Sequence, residues 1–261
     1  MVTLLLDRGA DVNSEDLGGD FSLHWVSSMN NVGMASLLLD RGADVNCVND
    51  DGETALHSAA MTAGVGVATL LLDRGAHVNC RRNNGETALH WAIRKGGPDM
   101  VTLLIDRGVE VNGQNRQGET ALHWAAMEKN TDMATLVLDR GADVNGADRW
   151  GRTPLFHAIE KENVGMGTLL LSRGADVHCR EEDGETALHW AISREDPDMA
   201  TLLLDRGADV NAVDKKGRTP LFYAIEKKKG DMITLLLNRG ACAQAPNSSQ
   251  QNGAEQGYDL G

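Results

Sequence analysis

Apolar residues along this chain fall into two short clusters divided by polar positions, and the pair then recurs. The stretch from Asn49 to Arg81 shows the pattern. Thr54-Ala55-Leu56-His57 opens the first cluster. A threonine followed by a small residue predicts a helix N-terminus, with the Thr side chain as its cap. In two later copies Pro154 and Pro220 take the second position, where a missing N–H costs nothing. Ala59 and Ala60 leave this helix slim enough to pack closely on its neighbours. Val67, Ala68, Leu70, Leu71 and Leu72 predict a second helix. Gly75 stops it, because glycine accepts the left-handed conformation common just past a helix end. Ala76 to Gly85 is too short for a third helix and predicts an extended, hairpin-like connection turned at Asn84-Gly85.

The pattern has a fixed period. Arg-Gly occurs at Arg8, Arg41, Arg74, Arg107, Arg140, Arg173, Arg206 and Arg239, always at the same spacing and never interrupted. Such a period marks a solenoid, in which each repeat buries its apolar face against its neighbours. Seven full repeats start at Asp16, Asn49, Arg82, Asn115, Asp148, Glu181 and Asp214, preceded by a partial repeat over 1–15. Thr-Ala-Leu-His, Leu-Leu-Leu, Arg-Gly-Ala-Asp-Val-Asn and the turn glycine, at this spacing, resemble the ankyrin repeat, from residue 1 to about 244. The resemblance implies an all-α solenoid: paired antiparallel helices with a projecting β-hairpin-like loop, stacked into a curved array that recognises other proteins through hairpin tips and the inner helix face.

Three departures from the family pattern carry expectations of their own. Met1-Val2-Thr3-Leu4-Leu5 matches Met100-Val101-Thr102-Leu103-Leu104, so the chain opens inside a second helix, and Leu4, Leu5 and Leu6 are expected to be partly exposed. In the repeat at Asp16, Phe21 replaces the capping threonine and Gly18-Gly19 predicts a looser tip. Between the helices, the family's glycine gives way to Asn31, Gly64, Gly97, Asn130 and Asn163 one residue later. Asn and Gly both tolerate positive φ, which predicts a turn shifted by one residue. The tail, 245–261, has almost no large apolar residues and is expected to be disordered. It offers no polar capping helix, so the terminal repeats could associate end to end.

Composition narrows the function. Hydrophobic residues make up 41% and aromatics only 4% of 261 residues, so the core must be built from Leu, Ala, Val and Met. A formal charge of −13 disfavours a nucleic-acid backbone as partner. Cys47, Cys80, Cys179 and Cys242 form no CxxC pair, which argues against zinc; free thiols suit a reducing, intracellular setting, cytoplasmic or nuclear. The apolar start is too short for a signal peptide or a membrane span.

Several columns of identical residues resemble chemistry. His24, His57, His90, His123 and His189 each sit three residues after a Thr-like position. They match the family's structural histidine, which hydrogen-bonds within and between loops, and Phe156 and Phe222 replace it in two repeats. Trp25, Trp91, Trp124 and Trp190 form the next column, with Ser58, His157 and Tyr223 elsewhere; aromatics at helical spacing predict core or half-buried packing. Met34, Met100, Met133, Met166, Met199 and Met232, with Val67 in the remaining repeat, read as core filling. Asp40, Asp73, Asp106, Asp139 and Asp205 read as solvated helix-end charges. His157 with Glu160 one turn on reads as a surface pair. There is no GxGxxG after a strand, no GxxxxGK[ST] and no GxSxG, so no catalytic residue, cofactor or metal is assigned, and an enzyme is the least favoured reading. A recognition arm of a larger protein, with activity elsewhere, is the second.

Copied positions build the stack, so specificity should sit where copies differ. The tips read Asp50-Asp51, Asn83-Asn84, Arg116-Gln117, Arg149-Trp150, Glu182-Asp183 and Lys215-Lys216, and Arg152 and Arg218 follow two of the turn glycines. Trp150 is the only aromatic at a tip. Tryptophan beside arginine is the composition of a binding hot spot, and Lys161 lies late in the following helix. The candidate partner-binding residues are therefore Arg116, Arg149, Trp150, Arg152, Lys161, Lys215, Lys216 and Arg218, and the expected ligand is another protein or peptide. The resemblance also permits β-hydroxylation of Asn46, Asn79, Asn112, Asn145 and Asn211.

Overall fold

A computed structural model of the chain describes residues 2–242; the polar tail expected at 245–261 lies outside them. The described residues form fifteen helices and no strand. The chain falls into two compact units that part between Arg149 and Trp150.

In the first unit, the first helices of successive repeats are α2 (Ser22–Ser28), α4 (Ala55–Met61), α6 (Ala88–Arg94) and α8 (Ala121–Met127). The second helices are α1 (Val2–Asp7), α3 (Val32–Asp40), α5 (Val65–Asp73), α7 (Pro98–Asp106) and α9 (Thr131–Asp139). In the second unit α10 (Pro154–Glu160), α12 (Ala187–Arg194) and α14 (Pro220–Glu226) form the first row. Behind them stand α11 (Val164–Ser172), α13 (Pro197–Asp205) and α15 (Gly230–Asn238). Within each unit, each first helix packs on the next first helix of that unit and on its own second helix. Helices of two or three turns are marginal alone in water, so this packing holds them. Leu56, Leu71, Leu89, Ile93 and Leu104 are fully buried in the first unit, and Leu155, Phe156, Ile159 and Met166 in the second. The methionine column is core, Met34 alone being half-buried. On α1, Leu4 and Leu5 are exposed.

The hairpin loops are closed from within. In the repeat at Asn49, the Asn49 N–H donates to Glu53 O at 3.0 Å, and Asn49 Oδ1 accepts from the N–H groups of Asp51 and Glu53. Successive tips join by backbone bonds: Asn83 N–H to Asp51 O, Arg116 N–H to Asn84 O and Arg149 N–H to Gln117 O in the first unit. Glu182 N–H to Trp150 O and Lys215 N–H to Asp183 O do the same in the second. The tip at Gly18-Gly19, expected to be looser, is closed as well: Asp16 Oδ1 accepts from Gly18 and Asp20, and Glu15 bridges Phe21.

The turn between paired helices does not shift. The left-handed residue stays at the family's place: Asn30, Ala63, Gly96, Lys129, Glu162, Glu195 and Lys228 all have positive φ. In each repeat the residue that follows closes a six-to-one bond, such as Asn130 N–H to Ala125 O at 2.9 Å, the Schellman end of a helix. Asn31, Asn130 and Asn163 stand one residue later for another reason: each caps the second helix, its side chain accepting from Met34, Met133 and Met166. A non-glycine in the left-handed region costs about 1–2 kcal/mol. Lys129 (φ 57) is exposed. Lys129→Gly should therefore stabilise the first unit by about 1 kcal/mol, read as a higher urea midpoint; no change would mean that the backbone there is unstrained.

Candidate protein-recognition surface

The threonine and histidine of each Thr-Ala-Leu-His segment fix where the first helix begins and where the hairpin hangs. Thr54, Thr87, Thr120 and Thr186 are N-caps, and each donates its backbone N–H to Nδ1 of the histidine three residues on, at 3.1–3.2 Å. Phe21 keeps that half of the arrangement, donating to His24 Nδ1. With Nδ1 accepting, Nε2 carries the proton and donates forward to the next repeat's hairpin: His24 to Glu53 O (2.9 Å), His90 to Glu119 O (3.2 Å) and His189 to Arg218 O (3.0 Å). Burial lowers the His57 imidazole to about 4 and lowers His90 and His189 as well. His24, His90 and His189 thus staple one repeat to the next, the hydrogen bonding that the resemblance implied. Among the described residues no three His, Cys, Asp or Glu side chains converge as a metal site would require.

A second column of contacts ties hairpin ends together. Asn46 Nδ2 donates to Gly75 O while His77 N–H donates to Asn46 Oδ1, and Asn79, Asn112 and Asn211 repeat the arrangement. The aspartates before Arg-Gly are not merely solvated. Asp7, Asp40, Asp73 and Asp106 pair with Arg41, Arg74, Arg107 and Arg140, and Asp205 pairs with Arg239, at 2.7–3.0 Å. The Asp side chains remain more than half exposed, so each pair adds little stability. Cys47 and Cys179 are shielded thiols; burial pushes both up to about 11.

The aromatic column divides. Trp124 is buried and Trp91 and Trp190 are half-buried, whereas Trp25 is 51% exposed. His157 is buried, not on the surface, with Nδ1 3.6 Å from Glu160.

Of the eight residues singled out for binding, Arg116 and Arg149 belong to the first unit and are exposed. Trp150, Arg152, Lys161, Lys215, Lys216 and Arg218 belong to the second. There the Arg152 guanidinium lies 4.5 Å from the centre of the Trp150 ring, so the arginine turns toward its own tip. Lys161 caps the end of α10, and Lys215 and Lys216 are exposed. Arg218 is committed inward: it pairs with Asp214 at 2.7 Å, lies 3.7 Å from Glu185 and stacks on Tyr223 at 4.7 Å. Burial raises the Asp214 carboxyl, but hydrogen bonds from Arg218, Tyr223 and Lys216 outweigh it and hold the group at about 2. Arg218 therefore anchors the last hairpin of the unit.

Ankyrin-repeat models of three copies match residues 1–82, 23–115, 67–148, 109–181 and 168–247, and the chain belongs to the ankyrin-repeat family. Among solved structures it is similar to the ankyrin repeat domain of Bcl-3, described as a unique member of the IkappaB protein family. The TM-score is 0.75 at 30% sequence identity, over 84% of this chain and 99% of that one. No curated protein matches. Ankyrin-repeat domains are general protein–protein interaction modules, and the fold is in general a non-enzymatic scaffold. No helix among the described residues is long and apolar enough to cross a membrane.

Proposed function

We propose that this chain is an interaction scaffold that grips a partner protein through its hairpin tips and the exposed face of its first helices. The segment from Arg149 to Lys161 would anchor an acidic or aromatic-bearing peptide. The observation that carries this reading is the Trp150–Arg152 pair. Its ring and guanidinium lie 4.5 Å apart at a tip, an aromatic face and a cation ordered before any ligand arrives, which lowers the entropy cost of binding. Arg149 precedes the pair in sequence, and Lys161 and the exposed Lys215 and Lys216 add positive charge in a chain that is acidic overall. Such a reversal of sign favours one partner orientation over others.

The test is the double variant Trp150→Ala with Arg152→Glu, titrated with an acidic peptide carrying one tyrosine. Affinity should fall about tenfold or more, while a melt close to that of the parent shows that the unit still folds. Equal affinity in both chains would remove the patch from the account.

A further inference from the structure

The column residue after each structural histidine is Trp25, Ser58, Trp91 and Trp124 in the first unit. Trp91 and Trp124 meet edge to face, their ring centres 6.1 Å apart. Trp25 has no such neighbour, because the next member of the column is a serine. The gap is a recess of about 240 Å³ between α2 and α4, lined by Asp20, Trp25, Ser28, Glu53, Ser58 and Met61 among others.

We propose that this recess receives an arginine side chain from a partner protein, its guanidinium stacked on Trp25 and its charge facing Asp20 and Glu53. It lies in the first unit and stands whether or not the Trp150 patch binds anything.

The geometry of the same column supports this occupant. Trp91 carries two guanidinium groups of its own chain, Arg82 and Arg94, each 5.3 Å from the ring centre, and Arg94 also lies 5.8 Å from Trp124. Tyr223, in the second unit, carries Arg218. Arg82 stands nine residues before Trp91 and Arg94 three after; around Trp25 those places hold Asp16 and Ser28. Among the described residues no guanidinium lies over Trp25. A cation supplied from outside would complete a contact that its neighbours make internally.

Trp25 is exposed but fixed. Its Nε1–H donates to Asp16 Oδ2 at 3.0 Å, and Asp16 is itself held by the N–H groups of Gly18 and Asp20. The rim is negative. Arg82 is the cation that pairs with Glu53, and it also meets Asp51 and Glu86, so three carboxylates share one charge. Asp20 spends one oxygen on Asn49 Nδ2, at 2.7 Å. The volume falls below the ~300–1,000 Å³ of sites that engulf a small molecule, and suits one long side chain. A planar guanidinium satisfies an indole face and a carboxylate rim together, which an ammonium does less well. An apolar side chain would strip water from the carboxylates without replacing it.

The experiment titrates the isotope-labelled full chain with acetyl-Ala-Ala-Arg-Ala-Ala-amide, and with its lysine and norleucine counterparts, following the Trp25 indole N–H by NMR. The arginine peptide should shift that resonance, the lysine peptide should bind about threefold or more weakly, and the norleucine peptide should leave it unmoved. Trp25→Ala should weaken the arginine peptide about tenfold or more, read from neighbouring amides. Ser58→Trp, which installs the residue found at Trp25, Trp91, Trp124 and Trp190 in the same column and so keeps the fold, should abolish the response. Trp150→Ala should leave it intact. Equal binding of norleucine, a response that survives Ser58→Trp, or no Trp25 shift at peptide concentrations of about 10 mM, some tenfold above a millimolar dissociation constant, would each overturn the proposal.

Discussion

Replacing Gly85 by alanine should cost the first unit about 3 kcal/mol and lower its urea midpoint accordingly. Two effects add. Gly85 sits at the hairpin turn with φ +83°. A Cβ atom in that conformation carries a penalty of about 1–2 kcal/mol. The new methyl would also lie 2.8 Å from Arg116 N and 3.1 Å from Asn115 C and Cα. These are backbone atoms of the next repeat and cannot swing away as a side chain could. The Arg116 N–H to Asn84 O bond, 2.8 Å long, would stretch or break as the hairpins part. Gly75→Ala is the matched control. Its φ is +91° and nothing lies within 4 Å of the added carbon. Only the conformational penalty of about 1–2 kcal/mol then applies. The difference between the two variants measures how closely neighbouring hairpins are pressed together. Equal losses would mean that the approach at Gly85 relaxes at no cost and that the ladder of tips contributes little.

Gly85 and Gly75 were both legible in the sequence, and so were the period, the helix starts at threonine and the core columns. Each of these follows from a property of one residue type: glycine's access to positive φ, threonine's capping oxygen, leucine's aversion to water. The inter-helix turn was not legible for the opposite reason. Asn30, Ala63, Lys129, Glu162, Glu195 and Lys228 share no chemistry, yet all adopt the left-handed conformation, because packing of both helices dictates the turn and overrides local preference. The asparagines beside them have the chemistry of turn residues but serve as caps. The Asp–Arg pairs could have been found, since each arginine stands one repeat and one residue beyond the aspartate it meets, a spacing that the column alignment already contained. At the recognition surface, residue type alone marked Trp150 and its arginines but passed over Trp25, which looked like one more member of a core or half-buried column. What sets Trp25 apart is Ser58, its counterpart in the next repeat. Its exposure belongs to the pair of repeats and not to either alone.

The histidine staples make stability depend on pH, and His90→Ala should reveal both their strength and their protonation. At pH 7.5 the variant should lose about 2–4 kcal/mol, because Thr87 N–H loses its acceptor, Glu119 O loses a donor and a buried ring leaves a void. The pH effect follows from the direction of the shift. Burial lowers His90 below its ordinary value; the Glu119 carbonyl, Glu86 and Glu119 pull it upward and Arg81 downward, and burial prevails. The folded imidazole therefore stays neutral where the unfolded one, titrating near 6.5, has already taken up a proton. Stability is complete above that pH and is lost progressively as pH falls through it toward the depressed folded value. For His57, held at about 4, the loss across the window from 6.5 to 4 is on the order of 3 kcal/mol. His90 and His189 add to it in the same direction. Urea midpoints measured from pH 7.5 to 4 should thus fall steeply in the parent chain and less steeply in His90→Ala. Carboxyl groups do not mimic the effect at its upper end, since the ordinary carboxyl values, about 3.9 for Asp and 4.3 for Glu, lie far below 6.5. A variant that is weaker at every pH but keeps the parent's slope would show that the imidazole is not where the unfolded chain's extra proton goes.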